Sequence, residues 1–139
     1  MSTYSIINYL YKIVKRLNQI MIIYFEDKKL TNDKNDYSII ITTAAGKDAA
    51  KKIANLLVEK RLAACVQMFP IESVYSWQEK ICEDDEVTLF IKSKTALFDE
   101  ISAAIKANHE YEVPEIIQIP IINGLPDYLR WIDGCTNSR

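Results

Sequence analysis

The sequence predicts an α+β domain of the split βαβ, or ferredoxin-like, type: a βαββαβ sandwich with an extra C-terminal helix. Two observations, element order and length, carry this expectation, and a third, the polarity of the sheet, departs from it. From Tyr37 onward, strand-like and helix-like segments follow one another in the order βαββαβ and then a helix, which makes two βαβ halves joined by a hairpin, with both helices on one face of an antiparallel sheet. The strand segments are apolar at both parities, so neither face of that sheet reads as polar. The length, 139 residues with 49% hydrophobic and 26% charged, suits one core plus one extension.

The extension is residues 1–36. No acidic residue occurs before Glu26, and Ile6, Leu10, Val14 and Leu17 fall at helical spacing beside Lys12, Lys15 and Arg16. That pattern predicts an amphipathic basic helix, suited to a membrane surface or a targeting role, or else to packing on the domain. The stretch "EDKKLTNDKND" that follows reads as a polar linker ending near Asp36. No small-residue cleavage site follows the apolar stretch, which argues against a signal peptide, and no apolar run is long enough to span a bilayer. The domain itself is expected over 37–134, with 135–139 as a tail.

"YSIIITTA", from Tyr37, is rich in β-branched residues and reads as the first strand. Gly46 opens "GKDAAKKIANLLVEKR", where Ala49, Ile53, Leu56 and Leu57 make one helical face. Leu62 to Ile81 is extended and bent by Pro70; with "DDEVTLFIKS" it predicts a hairpin turning around Cys82 to Asp84. "TALFDEISAAIKAN" predicts a second helix capped by Thr95, with Leu97, Ile101, Ala104 and Ile105 inward and Pro114 barring its continuation. "EIIQIPII" is the last strand, and "LPDYLRWID", with Pro126 in its first turn, is the final helix. Val87, Leu89 and Ile91 lie opposite Phe90 in parity, and other strands repeat this two-sided pattern. An apolar, helix-free sheet face is rare on a monomer, so a closed homo-oligomer is expected.

Composition excludes several functions. A formal net charge of −2 gives no case for nucleic-acid binding, and phosphate loops and hydrolase elbows are absent. Cys65, Cys82 and Cys135 show neither paired nor CxxC spacing, which points to a reducing compartment, here the cytoplasm, and not to a structural zinc site. A nucleophilic Cys65–His109 pair is disfavoured because Cys65 sits among Ala63, Ala64 and Val66; no enzyme activity is expected. "EDDE", Glu83 to Glu86, reads as a solvated acidic edge, and Tyr75 and Trp77 as an interface, a pocket wall or core. His109 is the only histidine. It lies at the expected end of the second helix, where unpaired carbonyls favour an imidazolium, and beside Glu110, Glu112 and Glu115, a donor set suited to copper, zinc or nickel only if a neighbouring subunit completes it.

"RLAACVQ", "SVYSWQEKICEDDEV", "HEYEVPEII" and "YLRWI", in this order, resemble the CutA family of divalent-cation tolerance proteins over Tyr37 to about Asp133. The resemblance implies a tight homotrimer whose hairpins cross to neighbouring subunits, weak contact with copper or zinc at His109 and Glu110, and no metal needed for folding. It implies an inter-subunit pocket at Cys65, Tyr75, Trp77, Lys80, His109 and Tyr111, with Trp131 near the C-terminal packing. Thr42 and Asn108 stand where copper-binding relatives carry a cysteine and a second histidine, and Trp77-Gln78-Glu79-Lys80 lacks a turn glycine. A second reading is a signalling or scaffold trimer resembling the PII regulators, with Lys80 beside an anionic ligand.

Overall fold

The computed structural model describes residues 3–30 and 35–138. The chain divides into two units, residues 1–34 and 35–139. The first holds one helix, α1 (Thr3–Leu30), whose side chains from Ser5 to Ile22 are all exposed. It runs through Glu26 to Leu30, five residues into the stretch read as linker; residues 31–34 of that stretch lie outside the described residues.

The second unit runs β1 (Tyr37–Ala44), α2 (Lys47–Glu59), β2 (Cys65–Trp77), β3 (Lys80–Lys94), a 3₁₀ turn (Thr95–Leu97), α3 (Phe98–Ala107), β4 (Ile116–Pro120) and α4 (Pro126–Cys135). The sheet order is β2-β3-β1-β4 and every pairing is antiparallel, the ferredoxin-like α+β sandwich. Register decides the faces, because residues opposite one another point the same way. Ile40 opposite Ile91 and Thr42 opposite Leu89 bury against Ile53 and Leu57 of α2 and Ile101 and Ile105 of α3. Each such fully buried aliphatic side chain contributes about 1.5–3 kcal/mol.

The other face carries Tyr37, Ile39 and Ile41 of β1, opposite Lys94, Lys92 and Phe90, together with Phe69 of β2 and Ile117 and Ile119 of β4. One end of it is covered by α4. Asp133 accepts from the Tyr37 hydroxyl at 2.5 Å and pairs with Lys94 Nζ at 3.5 Å, Lys92 Nζ lies 5.9 Å from the Tyr128 ring centre, and Ile132 is fully buried. The remainder is bare: Phe69, Ile117 and Ile119 are exposed to 41, 46 and 45%.

One helix end departs from expectation. Thr95 does not cap a helix. Its hydroxyl bonds Ser38 Oγ at 2.6 Å and the Asn35 carbonyl, tying the start of β1 to the 3₁₀ turn that displaces the α-helical start to Phe98. At the end of α2 the Leu62 amide donates to Leu57 O and the Arg61 amide to Val58 O, a Schellman closure. The left-handed residue it needs is Arg61, φ 55°, not glycine, and the Arg61 guanidinium donates to Gly134 O at 2.7 Å. The strained residue thus also anchors the end of α4.

The hairpin turns earlier than the acidic run suggested. Trp77 pairs with Lys80, Gln78 and Glu79 have φ of 48° and 62°, and Cys82 to Glu86 lie within β3. Positive φ at both central residues is the requirement of a two-residue I′ turn, whose twist matches the strands. The glycine is dispensable to the turn's shape, at a conformational cost. Since β1 pairs β3 only from Val87 to Lys94, 71–77 and 80–86 extend as a free ribbon by about seven residues a strand, roughly 23 Å. Glu79→Gly relieves a left-handed non-glycine residue and is expected to stabilise the fold by about 1 kcal/mol, read as a higher urea midpoint at fixed protein concentration with unchanged slope.

Candidate functional site

Asn108, not His109, closes α3. Its side-chain amide donates to Ala104 O at 2.9 Å and its backbone amide to Ile105 O at 3.0 Å, which takes up carbonyls the helix leaves open. The chain then turns His109 onto the sheet. Nε2 lies 2.6 Å from the Thr43 carbonyl, which can only accept, and the Tyr111 amide donates to Nδ1 at 3.0 Å. The two bonds together fix the neutral tautomer with its proton on Nε2. This replaces the expected imidazolium at a helix end: Asn108 takes the carbonyls, and the ring is committed to β1 and to its own loop.

From His109 the contacts continue into a cleft. The His109 and Tyr111 rings pack 4.8 Å apart, and the Tyr111 hydroxyl donates to Glu86 Oε1 at 2.9 Å. Glu86 is 8% exposed although it belongs to the acidic run; it shares its face of β3 with Asp84 and Thr88 and takes the Tyr111 hydroxyl, while Glu83, Asp84 and Asp85 stay exposed. The cleft, about 780 Å³, lies between residues 72–77 of the ribbon and the 111–115 loop and is lined by Tyr75, Trp77, Tyr111, Thr43 and four glutamates, Glu72, Glu86, Glu112 and Glu115. Among the described residues no lysine or arginine lines it.

Of the expected pocket residues, Tyr75, Trp77 and Tyr111 meet in this cleft. His109 lines a separate, smaller pocket of about 280 Å³ with Glu110 and Lys52. Lys80 is exposed at the ribbon tip beside the turn. Cys65 pairs with Lys92 while Thr43, whose carbonyl holds His109, pairs with Thr88; four residues of β3, roughly 13 Å, separate the two positions. Trp131 packs on Tyr128, ring centres 5.4 Å apart, in α4. Thr43, Glu72 and Glu86 are additions that sequence reading missed. The parity of Glu86 with Thr88 and Phe90 was the available signal, hidden by placing the turn at Cys82 to Asp84. Thr42 points to the helix side with its hydroxyl buried and unpartnered, away from the face that carries Thr43.

Residues 38–135 match the family model of the CutA1 divalent ion tolerance protein. The chain belongs to this family. It is 42% identical over 101 residues to the chloroplastic CutA protein of Arabidopsis thaliana, covering 72% of this chain and 56% of that one, and 41% identical over 95 residues to the divalent-cation tolerance protein CutA of Thermus thermophilus, covering 68% and 92%. A solved structure of the periplasmic divalent cation tolerance protein CutA from Archaeoglobus fulgidus superposes with a TM-score of 0.71 at 40% identity, covering 71% of this chain and 97% of that one. The chain thus spans a little over half the length of its plant relative and nearly all of the microbial CutA proteins. The CutA match leaves out α1.

As a metal site, His109 with Glu110 offers one imidazole lone pair, already accepting from the Tyr111 amide, and one exposed carboxylate. Among the described residues no group of three or more His, Cys, Asp or Glu side chains is placed to hold a metal ion. Such a donor pair fits loose contact with a cation and falls short of the three or four ligands of a tight site.

Three phenols, Tyr111 and Tyr75 in the cleft and Tyr37 beneath α4, are held neutral. Burial, then the bond to Glu86, pushes Tyr111 up to about 12; the bond to Asp84, at 2.5 Å, does the same for Tyr75, and the bond to Asp133 for Tyr37. Raised from an ordinary 10.0 to about 12, these groups contribute stability that is whole below pH 10 and lost as the pH climbs through 12. An alkaline absorbance titration should show a tyrosinate step near pH 12 that shrinks in Tyr111→Phe. His109→Ala leaves the Thr43 carbonyl and the Tyr111 amide without their partner and is expected to cost about 1–3 kcal/mol by urea denaturation.

Proposed function

We propose that the chain works in the divalent-cation response as a homotrimer, a binding protein and not an enzyme, with loose copper or zinc contact at His109 and Glu110. The observation that carries the assembly is the bare apolar face of Phe69, Ile117 and Ile119 together with the ribbon beyond it, where Val74 and Ile81 are exposed to 69 and 82%. A lone two-stranded ribbon is marginal in water, so both features call for cover. The free edges are β2 on one side of the sheet and β4 on the other; joining unlike edges is a heterologous contact, which forms a ring where the rotation closes and a filament where it does not, and a closed ring of three is what the family resemblance implies. The separation of Cys65 from His109 supports a non-enzymatic role. Free thiols at Cys65, Cys82 and Cys135 suit a reducing compartment such as the cytoplasm, although relatives carry chloroplastic and periplasmic names. The reading as a PII-like anion sensor is not retained: among the described residues four glutamates and no lysine or arginine line the cleft, the wrong sign for that ligand.

Light scattering should return about three times the 16.0 kDa chain mass, falling to the single-chain mass when Ile119→Asp places a charge on the bare face; a monomeric parent protein would refute the assembly. Calorimetry with Cu²⁺ and Zn²⁺ should show weak binding that disappears in His109→Ala at unchanged mass. Absence of binding, or binding that survives the substitution, would remove the metal contact and leave the assembly standing.

A further inference from the structure

We infer that α1 is an in-plane anchor for an anionic membrane surface. Its 28 residues make a rod of about 42 Å. At 3.6 residues per turn, Ile6, Leu10, Ile13, Leu17, Ile20 and Met21 fall in one sector under half the circumference wide, and each is exposed by 39% or more. Lys12, Lys15 and Arg16 gather in the opposite sector with Asn8 and Gln19, and Tyr9 and Tyr11, exposed to 66 and 63%, stand at the two borders. That is the cross-section of a helix lying at the lipid boundary: aliphatic side chains down, phenols at the headgroups, cations outward where their stems let them snorkel.

Charge selects the occupant. Up to Phe25 the helix carries three cations and no acid, so the same stretch of a second copy would bring the same cations with no carboxylate to pair them, and the acids that follow, Glu26 and Asp27, come with Lys28 and Lys29. The apolar sector is also wider than the seam of a coiled coil. No helix among the described residues is long and apolar enough to cross a membrane, so the helix lies on the surface. An anionic bilayer supplies both an apolar layer and the opposite charge, and three basic side chains should raise partitioning on the order of 100-fold over a neutral bilayer. The inference is independent of the trimer and of metal contact, since the family match begins at residue 38.

The test is co-sedimentation of the full chain with phosphatidylcholine vesicles, with and without phosphatidylserine. Binding should require phosphatidylserine, weaken with salt, fall by more than about 100-fold in a Lys12→Glu, Lys15→Glu, Arg16→Glu variant, and vanish in Leu10→Asp with Leu17→Asp. No binding, equal binding to both vesicles, or binding indifferent to the charge reversal would overturn the inference. So would a loss of assembled mass without vesicles in the Leu10→Asp, Leu17→Asp variant, which would assign the face to a second copy of the chain.

Discussion

The sheet carries apolar side chains on both faces, and the helices α2 and α3 cover only one of them. The rest of the structure follows from that imbalance. On the covered face Ile40, Leu89 and Ile91 close with α2 and α3 into a fully buried core. On the other, α4 takes the Tyr37–Lys94 end through Asp133 and Ile132, which still leaves Phe69, Ile117 and Ile119 facing solvent in a single chain. A ribbon with its own exposed aliphatic side chains leaves the sheet at the opposite end. Burying these surfaces against like chains is the solution that requires no further sequence.

His109 takes its meaning from the same frame. It is a latch before it is a ligand: one nitrogen holds β1 at the Thr43 carbonyl and the other holds the Tyr111 amide, while Tyr111 reaches β3 at Glu86. The loop that walls the acidic, aromatic cleft is fixed to two strands by one imidazole and one phenol. A metal ion that takes the Nδ1 lone pair must displace the Tyr111 amide, a physical reason for any cation contact there to be loose.

Much of this was legible from residue order. Alternation and turn residues placed all four strands and both packing helices, and the doubled apolar parity of Ile39, Ile40 and Ile41 announced the second face. What failed was local and has local causes. The acidic run looked like a turn because charged residues are common in turns, but a two-residue turn at Gln78 and Glu79 tolerates positive φ without glycine, and this moved Glu86 from a solvated edge into a buried strand position. Thr95 looked like a cap because its hydroxyl could serve a helix; Ser38 and Asn35, distant in sequence, claimed it instead. The partners of His109 are backbone groups, Thr43 O and Tyr111 N, and backbone groups leave no mark in a sequence. Of the residues expected to form a pocket between subunits, Tyr75, Trp77 and Tyr111 share one cleft of the single chain, and Cys65, Lys80 and Trp131 stand at other places on it.

The central claim is that the bare face is covered in solution, and hydroxyl-radical footprinting of the intact protein tests it within one molecule. Val58, on the outer side of α2, and Ile117 and Ile119, on the bare face, are equally exposed in the single chain, at 45, 46 and 45%. After correction for intrinsic reactivity, Ile117 and Ile119 are expected to oxidise far more slowly than Val58. Equal rates at the three positions would contradict it.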